Sequence, residues 1–257
     1  MSGRVAWITG GSSGIGAAVA RELARRGVAV AVSARDVDEL DDLADGATGT
    51  VVAYPADVRD REQMSSVAAA IEERLGPLDI VMMNAGVWQQ MEVAEWDSTA
   101  IREHVDTNLL GMVNTLDAVL PNMLARRSGR LVGVASVAGY RGFTGAEAYG
   151  STKAAEINLL ESLRIDLDRL GVTVQIVNPG FVDTPMTRRN DFPMPFMTDT
   201  DTAARRIVDA IRKGKAETVF PFPYLVGMKL LRLAPVRPYT AVSGWLAKRA
   251  HRAEASA

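Results

Sequence analysis

RVAWITGGSSGIGAAVARELARRG, residues 4–27, is the stretch that decides the fold. Residues 4–9 are a short apolar run that predicts a strand. The turn Gly10-Gly11-Ser12-Ser13-Gly14-Ile15-Gly16 follows it. Beyond the turn, Val19, Ala20, Leu23 and Ala24 recur at helical spacing. A strand, a glycine loop and a helix in succession are how an α/β protein holds a phosphate. The glycines let backbone approach the anion, and the helix N-terminus offers free N–H groups and a favourable dipole.

The same alternation continues along the chain. Apolar runs at 28–32, 50–54, 78–83, 130–135, 172–177 and 218–220 predict strands. Helical patterns at 37–44, 61–75, 98–124, 147–170 and 201–213 fill the intervals. Asp60 with Gln63 has the sense of a capping box, Gly76-Pro77 stops the helix it opens, and Gly171 ends another. Each predicted strand is a short run rich in Val, Ile, Leu or Ala, which predicts strands buried on both sides. The expectation is a single-domain α/β fold, a Rossmann-type doubly wound parallel sheet with helices on both faces. Functional groups gather at the C-terminal edge of such a sheet. The glycine turn, Arg35, Asp57, Asn84, Ser136 and Pro179-Gly180 all fall just after a predicted strand.

The chemistry centres on Tyr149, four residues ahead of Lys153. On a helix that spacing puts both side chains on one face, a turn apart. A free tyrosine titrates near ~10. A neighbouring ammonium favours the phenolate, and the hydroxyl then exchanges a proton with a carbonyl or alcohol oxygen. Ser136, at a strand tip, is placed to donate to the same oxygen. Arg35 ends the second predicted strand, where dinucleotide folds meet the adenine ribose. A carboxylate there holds the 2′-hydroxyl and an arginine accommodates a 2′-phosphate. The guanidinium fork suits phosphate, so NADP(H) is favoured over NAD(H), with Asp36 beside it keeping the alternative open. Asp57, next to Val58, is an acceptor for the adenine amino group. Asn84-Ala85-Gly86 are small enough for a cofactor to lie against backbone. Asn108 falls inside a long helical pattern that asparagine disfavours; it either bonds locally or fills a buried polar role.

Composition narrows the remaining classes. The chain has 257 residues and 47% hydrophobic content, which suits one domain with a large core. It has no cysteine, and its two histidines, His104 and His251, are far apart. No metal site and no Ser-His-Asp triad are expected, and His104 reads as an ordinary helix residue. No apolar stretch approaches the ~20 residues of a membrane span. The N-terminal apolar run is too short for a signal peptide, so a cytoplasmic protein is expected. Net charge is −2, split as +5 over residues 221–257 and −7 elsewhere. Nucleic acid is not an expected partner.

Over about residues 3–220 the chain resembles the classical short-chain dehydrogenases/reductases. The resemblance rests on Thr9-Gly10-Gly11-Ser12-Ser13-Gly14-Ile15-Gly16, Asp57-Val58, Asn84-Ala85-Gly86, Asn108, Ser136, Tyr149 with Lys153, and Pro179-Gly180 with Thr184. The three-residue gap between Gly10 and Gly14 is that family's own form of the glycine fingerprint. The resemblance implies an enzyme acting on CH–OH groups with NAD(P). Tyr149 is then the general acid/base, and Lys153 lowers its pKa and binds the nicotinamide ribose. Ser136 holds the substrate oxygen, and Asn108 supports a water and proton relay to Lys153. Thr184 and the main chain near Val182 meet the carboxamide. It also implies a homodimer or homotetramer formed through the Asn108 and Tyr149 helices. An NADP(H)-dependent carbonyl reductase is the leading reading. The alternatives are an NAD(H)-dependent alcohol dehydrogenase and a non-catalytic dinucleotide-binding regulatory protein.

After Thr184 the chain becomes particular. Residues 185–200, PMTRRNDFPMPFMTDT, hold three prolines, three methionines and two phenylalanines. Proline excludes a regular helix over most of this run, and methionine makes an adaptable apolar surface. The resemblance implies that this place is a lid over the substrate, and the expectation is a bulky, mostly apolar carbonyl or alcohol substrate, bounded by Trp88, Phe143, Phe181 and Met186. The alternative is packing on the protein's own tail. Residues 1–220 then form the catalytic domain, and residues 221–257 a basic, apolar extension. That extension packs on the domain or a sister subunit, with peripheral contact to an anionic membrane as the open alternative.

Overall fold

The computed structural model describes residues 1–254, with backbone alone for 246–254. Lys248, Arg249 and Arg252, on which part of the basic-tail expectation falls, therefore have side chains outside those described. Strand and helix alternate: β1 (Val5–Thr9), α1 (Gly14–Arg25), β2 (Ala29–Ser33), α2 (Val37–Asp45), β3 (Val51–Ala53), α3 (Arg61–Leu75) and β4 (Leu78–Met83). Then come α4 (Ser98–His104), α5 (Gly111–Ala125), β5 (Gly129–Val134), α6 (Glu147–Asp168), β6 (Val172–Pro179), α7 (Thr200–Lys213), β7 (Glu217–Phe220), α8 (Phe222–Leu233) and α9 (Val236–Glu254).

The strands form one seven-stranded sheet in the order β3-β2-β1-β4-β5-β6-β7. Every neighbouring pair is parallel. Side chains alternate across a strand, so each central strand feeds two cores. On β1, Val5 and Trp7 join α3, α5 and α6 through Met64, Ile71, Leu116 and Leu160. Ala6 and Ile8 face the other way, onto α1 and α7 through Val19, Leu23, Ile207 and Ile211. A strand buried on both sides has no polar face to present. That explains the unbroken apolar runs in the sequence.

The order reverses between β1 and β4. Their chain continuations leave the sheet in opposite directions there and open a crevice. Asp60 caps α3, accepting from the Gln63 N–H at 2.9 Å. Gln63 does not complete a capping box; its amide oxygen takes the Asp57 N–H at 2.7 Å instead. Asp60→Ala is expected to cost about 1 kcal/mol of stability. A chemical-denaturation midpoint unchanged from the parent would contradict the cap.

The 98–124 pattern is not one helix. A wider, π-type turn over Val105–Leu110 separates α4 from α5. The reason is Asn108, whose side chain bonds out of its own helix. Its Oδ1 accepts from Val87 N at 2.7 Å, and its Nδ2 donates to Val87 O and Thr152 Oγ1. Of the two readings of Asn108, the buried polar role is the one realised; the residue is 1% exposed. At Gly111 a Cβ would stand 2.6 Å from Val58 Cγ2, so the following turn needs glycine to approach the β3 loop.

Candidate active site

At the C-terminal edge of the sheet lies a cleft of about 870 Å³. Its floor is backbone. Gly10, Ser12, Ser13, Gly14 and Ile15 line it on one side, with Asn84, Ala85 and Gly86 beside them. Gly10 has φ +63°, and a Cβ there would meet Ala85 Cα at 2.7 Å. Gly14 has φ +52° and faces Thr184. Gly16 does not line the cleft; a Cβ on it would stand 2.2 Å from Gly10 O, so it serves the packing of α1 on the loop. Asn84 ties the two sides together, donating to Thr9 O and Gly10 O at 3.1 and 2.8 Å. The Ser13 side chain at the start of α1 makes no capping hydrogen bond, which leaves the helix N-terminus open toward the cleft. A close-approach glycine floor under a free helix N-terminus fits the diphosphate of a dinucleotide.

At the far end stand Arg35, Asp36, Asp57 and Val58. The Asp36 carboxylate caps α2 by accepting from Glu39 N at 3.0 Å. Asp57 is paired with Arg59 at 2.5 Å, a residue that the motifs did not single out. The Arg59 guanidinium holds the Asp57 carboxyl below its ordinary range, with burial working against it.

At the other end β5 places Ser136 and α6 places Tyr149 and Lys153, with Pro179, Gly180, Val182 and Thr184 after β6 opposite them. Ser136 accepts from Ala138 N at 3.1 Å, which starts the short turn Val137–Gly139 under α6. Burial pushes the Tyr149 phenol above its ordinary value; Lys153 pulls it down, Glu156 pushes it up and a hydrogen bond with Ser136 pulls it down. The net direction is thus opposite to the depression expected from Lys153 alone. Lys153 Nζ is 5.5 Å from the centre of the Tyr149 ring. It donates to Val134 O at 3.1 Å and to both Glu156 oxygens at 2.9 Å. Asn108 stands just behind the cleft wall: a Cβ on Gly86 would lie 3.2 Å from Asn108 Oδ1 and 3.6 Å from Lys153 Nζ.

Two aromatic neighbours fix the Tyr149 ring. Trp88 meets it edge-on at 5.1 Å, and His104 at 6.5 Å. His104 is more than an ordinary helix residue. It is buried, its Nε2 accepts from Gln89 N at 3.1 Å, and its Nδ1 is 2.7 Å from Ala100 O. That pattern makes it a neutral imidazole with its proton on Nδ1.

The segment after Thr184 runs over this end with only a short turn, Thr187–Arg189, as regular structure. Trp88 Nε1 donates to Asn190 Oδ1 at 2.7 Å, linking the segment to the Tyr149 side. Met186 lines the cleft, together with Thr187 and Arg189. Phe181 does not; it packs on Phe192 and on Tyr224 of α8. Phe143 lies outside the cleft lining as well, more than a third exposed in the loop before α6. Tyr224 also reaches Phe196 and donates to Pro195 O, so α8 braces the segment from behind. Among the described residues no group of His, Asp or Glu is arranged to hold a metal ion. Nor is any helix long and apolar enough to cross a membrane.

The chain is similar to known proteins over most of its length. The family model described as short chain dehydrogenase matches residues 4–192. A relative from Myxococcus xanthus, named as an oxidoreductase, is 40% identical over 238 residues, covering 91% of this chain and 94% of its own length. One from Staphylococcus haemolyticus, also named as an oxidoreductase, is 34% identical over 212 residues, 82% of this chain and 92% of its own. A short-chain dehydrogenase structure from Streptomyces avermitilis superposes with a TM-score of 0.82 at 28% identity, covering 96% of this chain and 98% of that one. A variant actinorhodin polyketide ketoreductase, solved with NADPH, gives 0.77 at 29% identity over 84% of this chain and 95% of that one.

Proposed function

The chain belongs to the short chain dehydrogenase family, an oxidoreductase family, and from that premise we propose that it is an NADP(H)-dependent enzyme interconverting a ketone or aldehyde and an alcohol. The convergence of Tyr149, Ser136 and Lys153 beside the glycine floor carries this reading. Bound NADPH would supply a hydride to the carbonyl carbon, leaving NADP⁺. Tyr149 gives its phenolic proton to the carbonyl oxygen, so the product is a neutral alcohol. In the reverse direction the phenolate takes that proton back. Ser136 donates a hydrogen bond to the same oxygen and aligns it. Lys153 and Asn108 hold the ribose end of the site and its proton path. The α1 N-terminus and the glycine backbone hold the diphosphate. Trp88 and Met186 border the reacting end, and with the lid segment above it they favour a bulky, mostly apolar substrate.

Arg35 supports NADP(H) over NAD(H). It lines the adenine end while both carboxylates near it, Asp36 and Asp57, are engaged by a helix cap and by Arg59. The ketoreductase relative's NADPH supports the same choice. Arg35→Asp is expected to weaken NADPH binding about tenfold or more, the scale of a lost charged hydrogen bond, while affecting NADH little. An unchanged ratio of the two affinities would remove Arg35 from the site. The proposal also includes a homodimer or homotetramer through the α4–α5 and α6 faces, where Leu110 and Ile165 are exposed. Activity is tested by NADPH oxidation against a panel of bulky ketones and aldehydes. Consumption that depends on the carbonyl compound supports the reading. Tight NADPH binding with no consumption across the panel favours the non-catalytic alternative.

A further inference from the structure

Glu156 is a charged residue where the helix pattern calls for an apolar one. It lies on the face of α6 that buries Ile157, Leu160 and Leu167, and it is fully buried at 0% exposure. Its carboxylate has one partner among the described residues, Lys153, which it meets with both oxygens at 2.9 Å. A Lys ammonium has three protons. Here Val134 O takes one direction and the Glu156 carboxylate a second, shared between its two oxygens, and Lys153 is itself 4% exposed. The ammonium beside Tyr149 is thus neutralised from behind, in surroundings where charges interact strongly.

We propose that Glu156 is a positioning residue that holds the Lys153 ammonium and withholds its charge from Tyr149, so that the pair serves carbonyl reduction, in which Tyr149 donates its proton. This rests on the reading of Tyr149 and Lys153 given above and adds a direction to it. Reduction needs a protonated phenol and oxidation needs the phenolate; a net-neutral Lys153–Glu156 pair stabilises the phenolate less than a lone ammonium does. Lys153 shifts toward its charged form, while burial works against the charge of Glu156. Burial pushes the Glu156 carboxyl up to about 7, with Lys153 pulling against it. Burial works against the Lys153 charge, but Glu156 and Tyr149 outweigh it and raise Lys153.

The other groups around the pair do not compete for this role. On α4 and the π-type turn, Arg102, Glu103 and Asp106 are exposed, and His104, which faces Tyr149, is bonded as the neutral imidazole. β6 carries no titratable side chain, and β5 carries only Arg130, near the opposite end of that strand. Ser136, Asn108 and Thr152 are polar and uncharged.

The test reads the phenolate of Tyr149 directly, by ultraviolet difference titration of the full chain against Tyr149→Phe, with neither substrate nor cofactor present. In Glu156→Gln the Tyr149 midpoint is expected about one pH unit or more below the parent's, a tenfold weaker hold on the proton. An unmoved or higher midpoint overturns the proposal. Should the glutamine leave the ammonium without a counter-charge and prevent folding, Lys153→Met and Lys153→Met/Glu156→Leu carry the same comparison. The double variant should titrate below the single one, and equal midpoints overturn the proposal. The acid/base role of Tyr149 is read separately, from turnover in Tyr149→Phe. Lost turnover there with an unmoved midpoint in Glu156→Gln removes the role of Glu156 alone.

Discussion

Tyr149→Phe should lower turnover by about 10²–10⁴-fold, the scale of a lost general acid/base, with NADPH affinity within a few-fold of the parent. The substitution removes one oxygen from a ring already held by Trp88 and His104, so the packing that positions it survives. What disappears is the hydroxyl that meets Ser136 and, with it, the proton transfer that the proposed function assigns to Tyr149. In the proposed function, binding depends on the glycine floor, the start of α1 and Arg35, which line the cleft and which the substitution leaves alone. Loss of kcat at nearly unchanged cofactor affinity is therefore the signature. Turnover equal to the parent's would remove Tyr149 from the chemistry; equal loss of binding and turnover would make its role structural.

Trp7→Ala should cost about 3–5 kcal/mol, enough to remove a large part of a typical domain's stability. Trp7 is 0% exposed on β1, between β2 and β4, and packs into the core shared with α3, α5 and α6. The strand residues on either side are fixed by the sheet, so only helix side chains of that core could move into the gap. Its Nε1 also donates to Ser33 Oγ at 2.9 Å, and the variant leaves that buried hydroxyl without this donor. The denaturation midpoint should fall sharply with little change in the slope. A loss below about 1 kcal/mol would mean that the core collapses into the gap, contrary to the packing described here. Because β1 ends in Thr9 and the glycine turn, cofactor affinity should fall along with stability.

The strands and the site edge were legible because their signals are local. A strand buried on both sides needs several apolar residues in a row, and a phosphate loop needs glycines next to one another. Helix ends were read to within a residue or two where a cap such as Asp60 or a stop such as Gly76 marks them. What stayed illegible depends on contacts between distant residues. The break at Asn108 arises from bonds to Val87 and Thr152, which are remote in sequence. The engagement of Asp57 by Arg59 is close in sequence but appears only once the loop after β3 has a shape. Phe143 and Phe181 are apolar residues beside the right motifs, yet their loops turn them away from the cleft. Glu156 did leave a trace: a carboxylate on the apolar stripe of α6, one turn beyond Lys153. Its meaning required knowing that the stripe is buried there.

The central claim is that the cleft is a dinucleotide site with an arginine at the 2′ position, and fluorescence titration of the full chain with NADPH and NADH tests it most directly. It needs no knowledge of the substrate. Saturable binding of both, with NADPH the tighter, is the predicted result. Tighter NADH binding would contradict the role of Arg35, and binding of neither would contradict the oxidoreductase reading as a whole.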